Sequence, residues 1–251
     1  MTSTPADTID EVVDQLTEIV EWSRAANSPL GYFAALYRKV TVKVGEGIAD
    51  RIFDDGERME RLDVIFANRY LQAVEAHRAG RPTTAAWAYA FRVTDQWWPI
   101  VLQHLLLGMN AHINLDLGIA AARTVPASDL HRLQGDFDKI NEVLALLVGE
   151  VQTELAEIWL FLRVLNRHLG GVEGAIINFS MEKARDHAWS VAERLAPLDA
   201  SGQAREIAAL DAEMALFARV IRHPGVVGST VTRLIRVGER GSVRRKIGVL
   251  E

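Results

Sequence analysis

Residues 104–116 read HLLLGMNAHINLD, and this stretch decides how the chain folds. Leucine, isoleucine, alanine and methionine fill most of it at helical spacing and leave little of the helix circumference for water. Two histidines, two asparagines and an aspartate interrupt the apolar run. Because buried polar groups need partners, the stretch predicts a central helix that carries either a polar network or a functional site.

The polar positions of this stretch are aligned. His104, Gly108, His112 and Asp116 recur every four residues, which places them on one helix face. His112 and Asp116 are ~6 Å apart along the axis and can share a metal ion, or act as a base and its orienter, whereas His104 is ~12 Å from His112 and cannot easily join them. A buried network without a function is the alternative for all three. A glycine in mid-helix costs ~1 kcal/mol relative to alanine, so Gly108 predicts close approach of a neighbouring helix or a ligand.

A second group of candidates lies in ERLDVIFANRYLQAVEAH, residues 60–77. Asp63, Phe66 and Tyr70 share one apolar helix face, so the aspartate needs a partner. That partner could be a metal, a substrate hydroxyl, Tyr70 or an arginine from another helix. Trp97 shares the face of His104 and could form the floor of a pocket.

Two of these motifs also resemble sequences of a known protein family. FANRY (66–70) and HLLLGMNAHINLDL (104–117) resemble an all-helical bacterial family without an assigned activity. The resemblance covers roughly residues 30–200. It implies that the two stretches belong together and implies no reaction.

The rest of the chain predicts helices with short connections. Thr8–Arg24, LYRKVTVKV (36–44) and 57–79 are predicted helices; an aspartate of Asp54-Asp55-Gly56 caps the third. Thr83 or Thr84 is predicted to cap a short helix, and Asp95 the long one that enters at Trp97-Trp98-Pro99. Further helices are predicted up to His168 with a break near Gly149, over 173–195 and 202–222, and after Gly225. We therefore predict an all-α, single-domain multi-helix bundle over 1–251, with a core of about 30–222 and a basic C-terminal helix at 226–247.

Composition limits the classes of function. The chain has 251 residues, 49% of them hydrophobic, and no cysteine, so a metal such as zinc, iron or manganese would need His, Asp or Glu ligands. A net charge of −5 argues against nucleic-acid binding. No N-terminal signal pattern and no apolar run of membrane-spanning length is present, so we expect a cytoplasmic protein without a transmembrane segment. The basic C-terminal helix could contact an anionic surface weakly; the alternative is that it is a solvated, frayed helix. The sequence is also compatible with a homo-oligomer.

The leading hypothesis is an enzyme that acts on an apolar small molecule or a lipid-like substrate. His112 and Asp116 would be metal ligands or a base and its orienter, with Asp63 a third ligand or an acid. Tyr70 would be a proton donor or oxyanion stabiliser, and His104 a second acid or base. Hydrolysis or a lyase or cyclase step fits such a site. The alternatives are a non-catalytic carrier or sensor of a hydrophobic ligand, and an interaction protein whose buried polar network only specifies helix register.

Overall fold

The computed structural model describes residues 4–140, 181–239 and 241–251. These parts of the chain are helices joined by short connections, with no strand among them, which confirms the all-α prediction. The first four helices are α1 (Ile9–Ala25), α2 (Leu30–Ala49), α3 (Gly56–Arg78) and α4 (Ala85–Val93). One continuous helix, here called the central helix (Val101–Thr124), consists of α5 (Val101–Met109), a π-helical segment (Asn110–Leu117) and α6 (Gly118–Thr124). Residues 130–140 are helical (α7), followed by α8 (Met181–Leu195), α9 (Ala200–Arg222), α10 (Gly225–Gly238) and α11 (Val243–Val249).

Most predicted helices are confirmed. The β-branched stretch 36–44 is helical within α2, and the predictions over 57–79 and 202–222 correspond to α3 and α9. The predicted stretch up to His168, with its break near Gly149, is described only to residue 140, and the start predicted at 173 lies outside the described residues.

Side-chain caps fix several helix starts. Thr8, Asp55 and Thr84 each accept a hydrogen bond from a backbone N–H in the first turn of their helix. The prediction that Asp95 caps the central helix is wrong, because that helix begins only after Ile100. The N-cap residue Ile100 offers no side-chain acceptor; instead Gln103 Oε1 accepts from the N–H of Ile100 at 3.3 Å and Glu239 Oε1 from the N–H of Val101 at 2.8 Å.

The central helix is the core element of the bundle. It contacts α2, α3 and α4 as well as α8 and α9. Within the described residues it is long and apolar enough to cross a membrane, but 78% of its most apolar window is buried inside the protein. Burial on this scale identifies it as a core helix, as predicted from residues 104–116.

Two glycines let neighbouring helices approach the central helix. A Cβ atom at Gly108 would overlap the ring of Phe33 on α2. A Cβ atom at Gly118 would lie 2.6 Å from the backbone oxygen of Ala188 and 2.7 Å from Cβ of Val191 on α8. The close approach predicted at Gly108 is confirmed, and an aromatic side chain is its cause.

The C-terminal region differs from the prediction. The single helix predicted over 226–247 is two helices, α10 and α11. The second one packs against α1 and α2 and buries Ile247 fully, so it is not a frayed terminal helix. Lys246 is also buried, and its ammonium pairs with Glu239 at 2.8 Å. Arg244 and Arg245 stay exposed, and weak contact of this helix with an anionic surface stays a prediction.

Candidate functional site

The candidate site lies where the central helix changes from α-helical to π-helical geometry. Seven of the eight residues of Asn110–Leu117 are buried, including His112 and Asp116. A π-segment closes i→i+5 hydrogen bonds and frequently occurs at functional sites. His112 and Asp116 stay neighbours, with 4.0 Å between Nδ1 and Oδ2.

Asp116 is fully engaged by two other helices. Its Oδ1 accepts a hydrogen bond from Arg69 Nε of α3 at 2.6 Å, and its Oδ2 accepts one from Trp87 Nε1 of α4 at 2.8 Å. The Asp116 side chain is 1% exposed and that of Arg69 is 19% exposed. The pair is therefore a buried, charge-assisted interaction that fixes the carboxylate from both sides.

The imidazole of His112 lies in a cage of aromatic rings. Phe66 stacks on it with 3.6 Å between ring centroids, and Tyr37 meets it edge-on at 4.3 Å. Phe33 lies at 5.6 Å and Tyr70 at 6.0 Å. Within the described part of the chain, neither ring nitrogen has a hydrogen-bond partner. Burial lowers the pKa of His112, and the nearby carboxylate of Asp116 opposes this shift only in part, so the imidazole is neutral.

Three more buried polar groups lie in this region: the hydroxyls of Tyr37 and Tyr70, whose rings lie near His112, and Asp63, whose charge acts on Tyr37. Asp63 Oδ2, Tyr37 Oη and Tyr70 Oη form no hydrogen bond to the described residues. Burial, helped by the charge of Glu60, raises the pKa of Asp63 from 3.8 to about 7. Burial also raises the pKa of both tyrosines, and the charge of Asp63 adds to the shift at Tyr37. We call Tyr37, Asp63, Tyr70 and His112 the buried cluster.

A cavity of about 440 Å³ opens next to this cluster. It lies between α3 and α4 and reaches Asp116, Arg69 and Trp87. Trp87 connects the two regions, because its ring centroid lies 5.0 Å from that of Tyr70 and 6.2 Å from that of His112. The other lining residues are Gln72, Ala73, Glu75, Ala76, Arg81, Pro82, Thr83 and Thr84.

The structure brings together four of the five predicted catalytic residues. Asp63, Tyr70, His112 and Asp116 share one region, as their helix faces predicted. His104 does not join them. It packs edge-on against Tyr32 at 5.6 Å and lines a different cavity, as the axial distance along the helix indicated.

Sequence reasoning missed the two partners of Asp116. Arg69 lies inside the FANRY motif, and the sequence suggests an arginine as a partner of Asp63, not of Asp116. Trp87 carries an indole N–H, and this donor in an apolar stretch was the signal that a buried acceptor lay nearby.

The predicted metal ligands do not form a recognisable set. Within the described residues, no group of three or more His, Cys, Asp or Glu side chains could hold a metal ion. Both oxygens of Asp116 already accept hydrogen bonds, from a guanidinium and an indole. His112, Asp116 and Asp63 therefore do not fit a three-ligand site in this arrangement, and metal binding stays a prediction.

Comparison with known proteins places the chain in a family and assigns no reaction. No curated protein and no solved structure matches it. A family model described as a family of unknown function, DUF5995, matches residues 9–224 and therefore contains both motifs on which the resemblance rested. This match confirms the expectation of an uncharacterised family, and the chain belongs to the family of unknown function DUF5995.

Proposed function

We propose that the protein is an enzyme that performs acid–base chemistry on a small polar molecule that enters through the cavity beside Asp116 and reaches the buried cluster past Trp87. His112 would be the general base, oriented by Asp116, and Asp63 the general acid. Tyr37 and Tyr70 would donate hydrogen bonds to an oxygen that becomes negative during the reaction.

One observation carries this proposal: five buried polar atoms that have no partner among the described residues lie in one region, in which Tyr37 and Tyr70 contact the ring of His112 and Asp63 lies near Tyr37. They are Asp63 Oδ2, Tyr37 Oη, Tyr70 Oη and the two ring nitrogens of His112. An unsatisfied buried polar group costs ~1–3 kcal/mol, so the group as a whole destabilises the fold by several kcal/mol. Single unpaired buried atoms occur elsewhere in the described residues, for example Ser23 Oγ and Arg58 Nε, so what supports the proposal is that five such atoms lie in one region beside a cavity.

The protonation states suit a base and an acid in one site. A neutral imidazole can accept a proton, and a carboxyl group with a pKa of about 7 still carries one near neutral pH. The distance of 4.0 Å between Asp116 Oδ2 and His112 Nδ1 exceeds a hydrogen bond by only about 1 Å, so a small shift of the imidazole would form this contact while Arg69 and Trp87 hold the carboxylate. That contact would orient the ring and stabilise the imidazolium formed when Nε2 takes a proton.

The cavity lining favours a substrate more polar than the one expected from the sequence. Arg69, Gln72, Glu75, Arg81 and both threonines of the α4 entry line it, against few apolar side chains. A hydrolysis or lyase step fits these roles, because each needs a base that takes one proton and an acid that returns one to the leaving group.

A second candidate function is non-catalytic binding of a small polar ligand. The cavity lining reaches Asp116 and Trp87 but does not include His112, which is packed between aromatic rings. In this case Arg69 and Asp116 would bind the ligand, and the buried cluster would take no part.

Incubation with a small-molecule cell extract, followed by mass spectrometry, tests the proposal without a known substrate. We expect the wild type to convert at least one compound and His112→Gln and Asp63→Asn each to lower the rate by ~10²-fold or more. His131→Gln, the same change at an exposed histidine, is the matched control and should keep the wild-type rate. Circular dichroism checks that each variant is folded.

The outcomes separate the two candidates. Conversion that persists in folded His112→Gln and Asp63→Asn would contradict the catalytic role of the buried cluster. Retention of a compound without conversion, abolished by Arg69→Met and unchanged in His112→Gln, would establish the binding function instead.

A further inference from the structure

A second cavity, of about 400 Å³, lies where α5 begins beside α10 and α11. Tyr32, Trp97, His104, Arg236, Glu239 and Lys246 are among its lining residues, and it shares none with the cavity at Asp116. Trp97 and His104 both line this second cavity, but the prediction that they share a helix face is wrong, because Trp97 precedes the start of the central helix at Val101. This cavity is therefore separate from the site of the proposed function.

The charged residues of this cavity are built into the fold. Arg236 Nη1 and Lys246 Nζ each donate to Glu239 Oε2 at 2.8 Å, and Glu239 Oε1 accepts from the backbone N–H of Val101 at 2.8 Å. The side chains of Glu239 and Lys246 are 0% and 4% exposed. Since one carboxylate serves two cations, the charged side chains of the lining carry a net positive charge.

Hydrogen-bond donors exceed acceptors at the same place. An ammonium group has three donors, and the hydrogen bond to Glu239 uses one of those of Lys246. Tyr32 and His104 are more than nine-tenths buried as residues and both line the cavity, where the Tyr32 hydroxyl is a further donor. A ligand that brings acceptor oxygens and a negative charge would satisfy these donors.

The electrostatics differ between the two sides of the cavity: at Tyr32, besides burial, the charge of Glu239 raises the pKa of the hydroxyl more than Arg236 lowers it, whereas at His104 the charges that act are cations. Burial, followed by the positive charges of Arg236, Arg222 and Lys246, lowers the pKa of His104 to about 3. The imidazole is therefore neutral and lies in a positive potential.

The rest of the lining is apolar except for Gln96, whose Oε1 accepts hydrogen bonds from Arg222. Trp97 is 63% exposed, and the guanidinium of Arg236 lies 4.9 Å from its ring centroid. Pro29, Pro99 and Val243 complete this side of the cavity. A planar apolar group fits against such a wall.

We propose that this cavity binds a small monocarboxylate with a planar apolar body. The carboxylate interacts with Arg236, Lys246 and the hydroxyl of Tyr32, and the apolar body lies against Trp97. The site is independent of the chemistry proposed at His112.

Titration with phenylacetate and with phenylacetamide, its neutral analogue of the same shape, tests this site. NMR signals of ¹³C-labelled histidine rings report binding at His104. We expect phenylacetate to shift the His104 signal saturably and to bind about tenfold or more tightly than the amide, because only the acid makes charge-assisted hydrogen bonds. Arg236→Gln and Tyr32→Phe should each weaken phenylacetate binding, the former by about tenfold.

Two control variants locate the effect. Arg233→Gln removes an exposed arginine from the same helix and should leave the affinity unchanged, as should His112→Gln. Equal affinity for the acid and the amide, no saturable shift at His104, or equal binding by Arg236→Gln and Arg233→Gln would overturn the proposal. If Arg236→Gln does not fold, the comparison of Tyr32→Phe with the wild type decides, because that variant keeps the ring and removes only the hydroxyl.

Discussion

Replacing Asp63 with asparagine should stabilise the protein more strongly at pH 8 than at pH 5. Burial, with the charge of Glu60 as a smaller cause, raises the pKa of Asp63 from 3.8 to about 7 in the folded state. Below about pH 4 the carboxyl is protonated in both states and its titration does not affect folding. As the pH rises from about 4 to about 7, the unfolded chain loses this proton while the folded protein keeps it, so stability is lost through this interval.

The magnitude follows from the two pKa values. A shift of about three pKa units corresponds to ~4 kcal/mol of stability lost above pH 7, at ~1.4 kcal/mol per unit. Roughly 2–3 kcal/mol of this loss falls between pH 5 and pH 8. Because the Asp63 side chain is almost fully buried, solvent screening removes little of the effect. Asparagine has nearly the same shape and no charge, so Asp63→Asn should avoid the loss.

Urea unfolding followed by circular dichroism at both pH values measures the effect as a difference between Asp63→Asn and the wild type. Asp14→Asn, the same change at an exposed position of α1, is the control and should show no such pH dependence. A difference that is equal at pH 5 and pH 8, or an Asp63→Asn protein that is less stable at pH 8, would refute the conclusion that burial without a partner for Oδ2 among the described residues raises the pKa of this carboxyl. If Asp63 is a functional group that lowers the stability of the fold, the Asp63→Asn variant should be more stable than the wild type and should no longer convert the substrate.

Three other substitutions test the packing around the site by urea unfolding. Arg69→Met leaves the Asp116 carboxylate buried without its cation and should cost ~3–5 kcal/mol, and adding Asp116→Asn should recover part of that loss. Gly108→Ala places a Cβ atom inside the facing aromatic ring and should cost ~1–3 kcal/mol, whereas Gly45→Ala, with ordinary contact distances, should not destabilise. His112→Phe keeps a stacked ring and removes two unpaired nitrogens, so its stability should equal or exceed that of the wild type; a loss above ~2 kcal/mol would mean that the nitrogens have partners.

The helices could be predicted because their signals are local. Asp55 and Thr84 precede apolar periodic stretches, and both cap the helices that follow them. Gly108 gave a correct prediction of close packing, because a glycine in mid-helix weakens the helix and is kept where a side chain would not fit. The prediction from Asp95 was wrong. A residue type that can cap a helix shows that a helix could start there, but it does not show that one does.

The site could be predicted only in part, for a geometric reason. Periodicity indicates which face of a helix points inward, and it placed Asp63, Tyr70 and His112 correctly toward a common interior. It does not indicate which residue of another helix lies opposite at the same height. Arg69 and Trp87 meet Asp116 through the packing of α3 and α4 on the central helix, and no spacing within one helix encodes that contact.

The central helix also shows what a purely structural polar network looks like in this protein. Asn110 donates from Nδ2 to the backbone oxygen of Met214 on α9 at 2.9 Å, and Asn114 donates to Asn110 Oδ1 at 3.1 Å. These paired amides can fix the register between helices. If the protein were only an interaction protein, all of its buried polar groups would be expected to serve this purpose. His112 lies on the same π-segment, between the two asparagines in sequence, and neither of its nitrogens is paired with a described residue. Since one short segment satisfies some of its buried polar groups and leaves others open, helix register alone does not account for the open ones, and chemistry at His112 is the reason we infer for them.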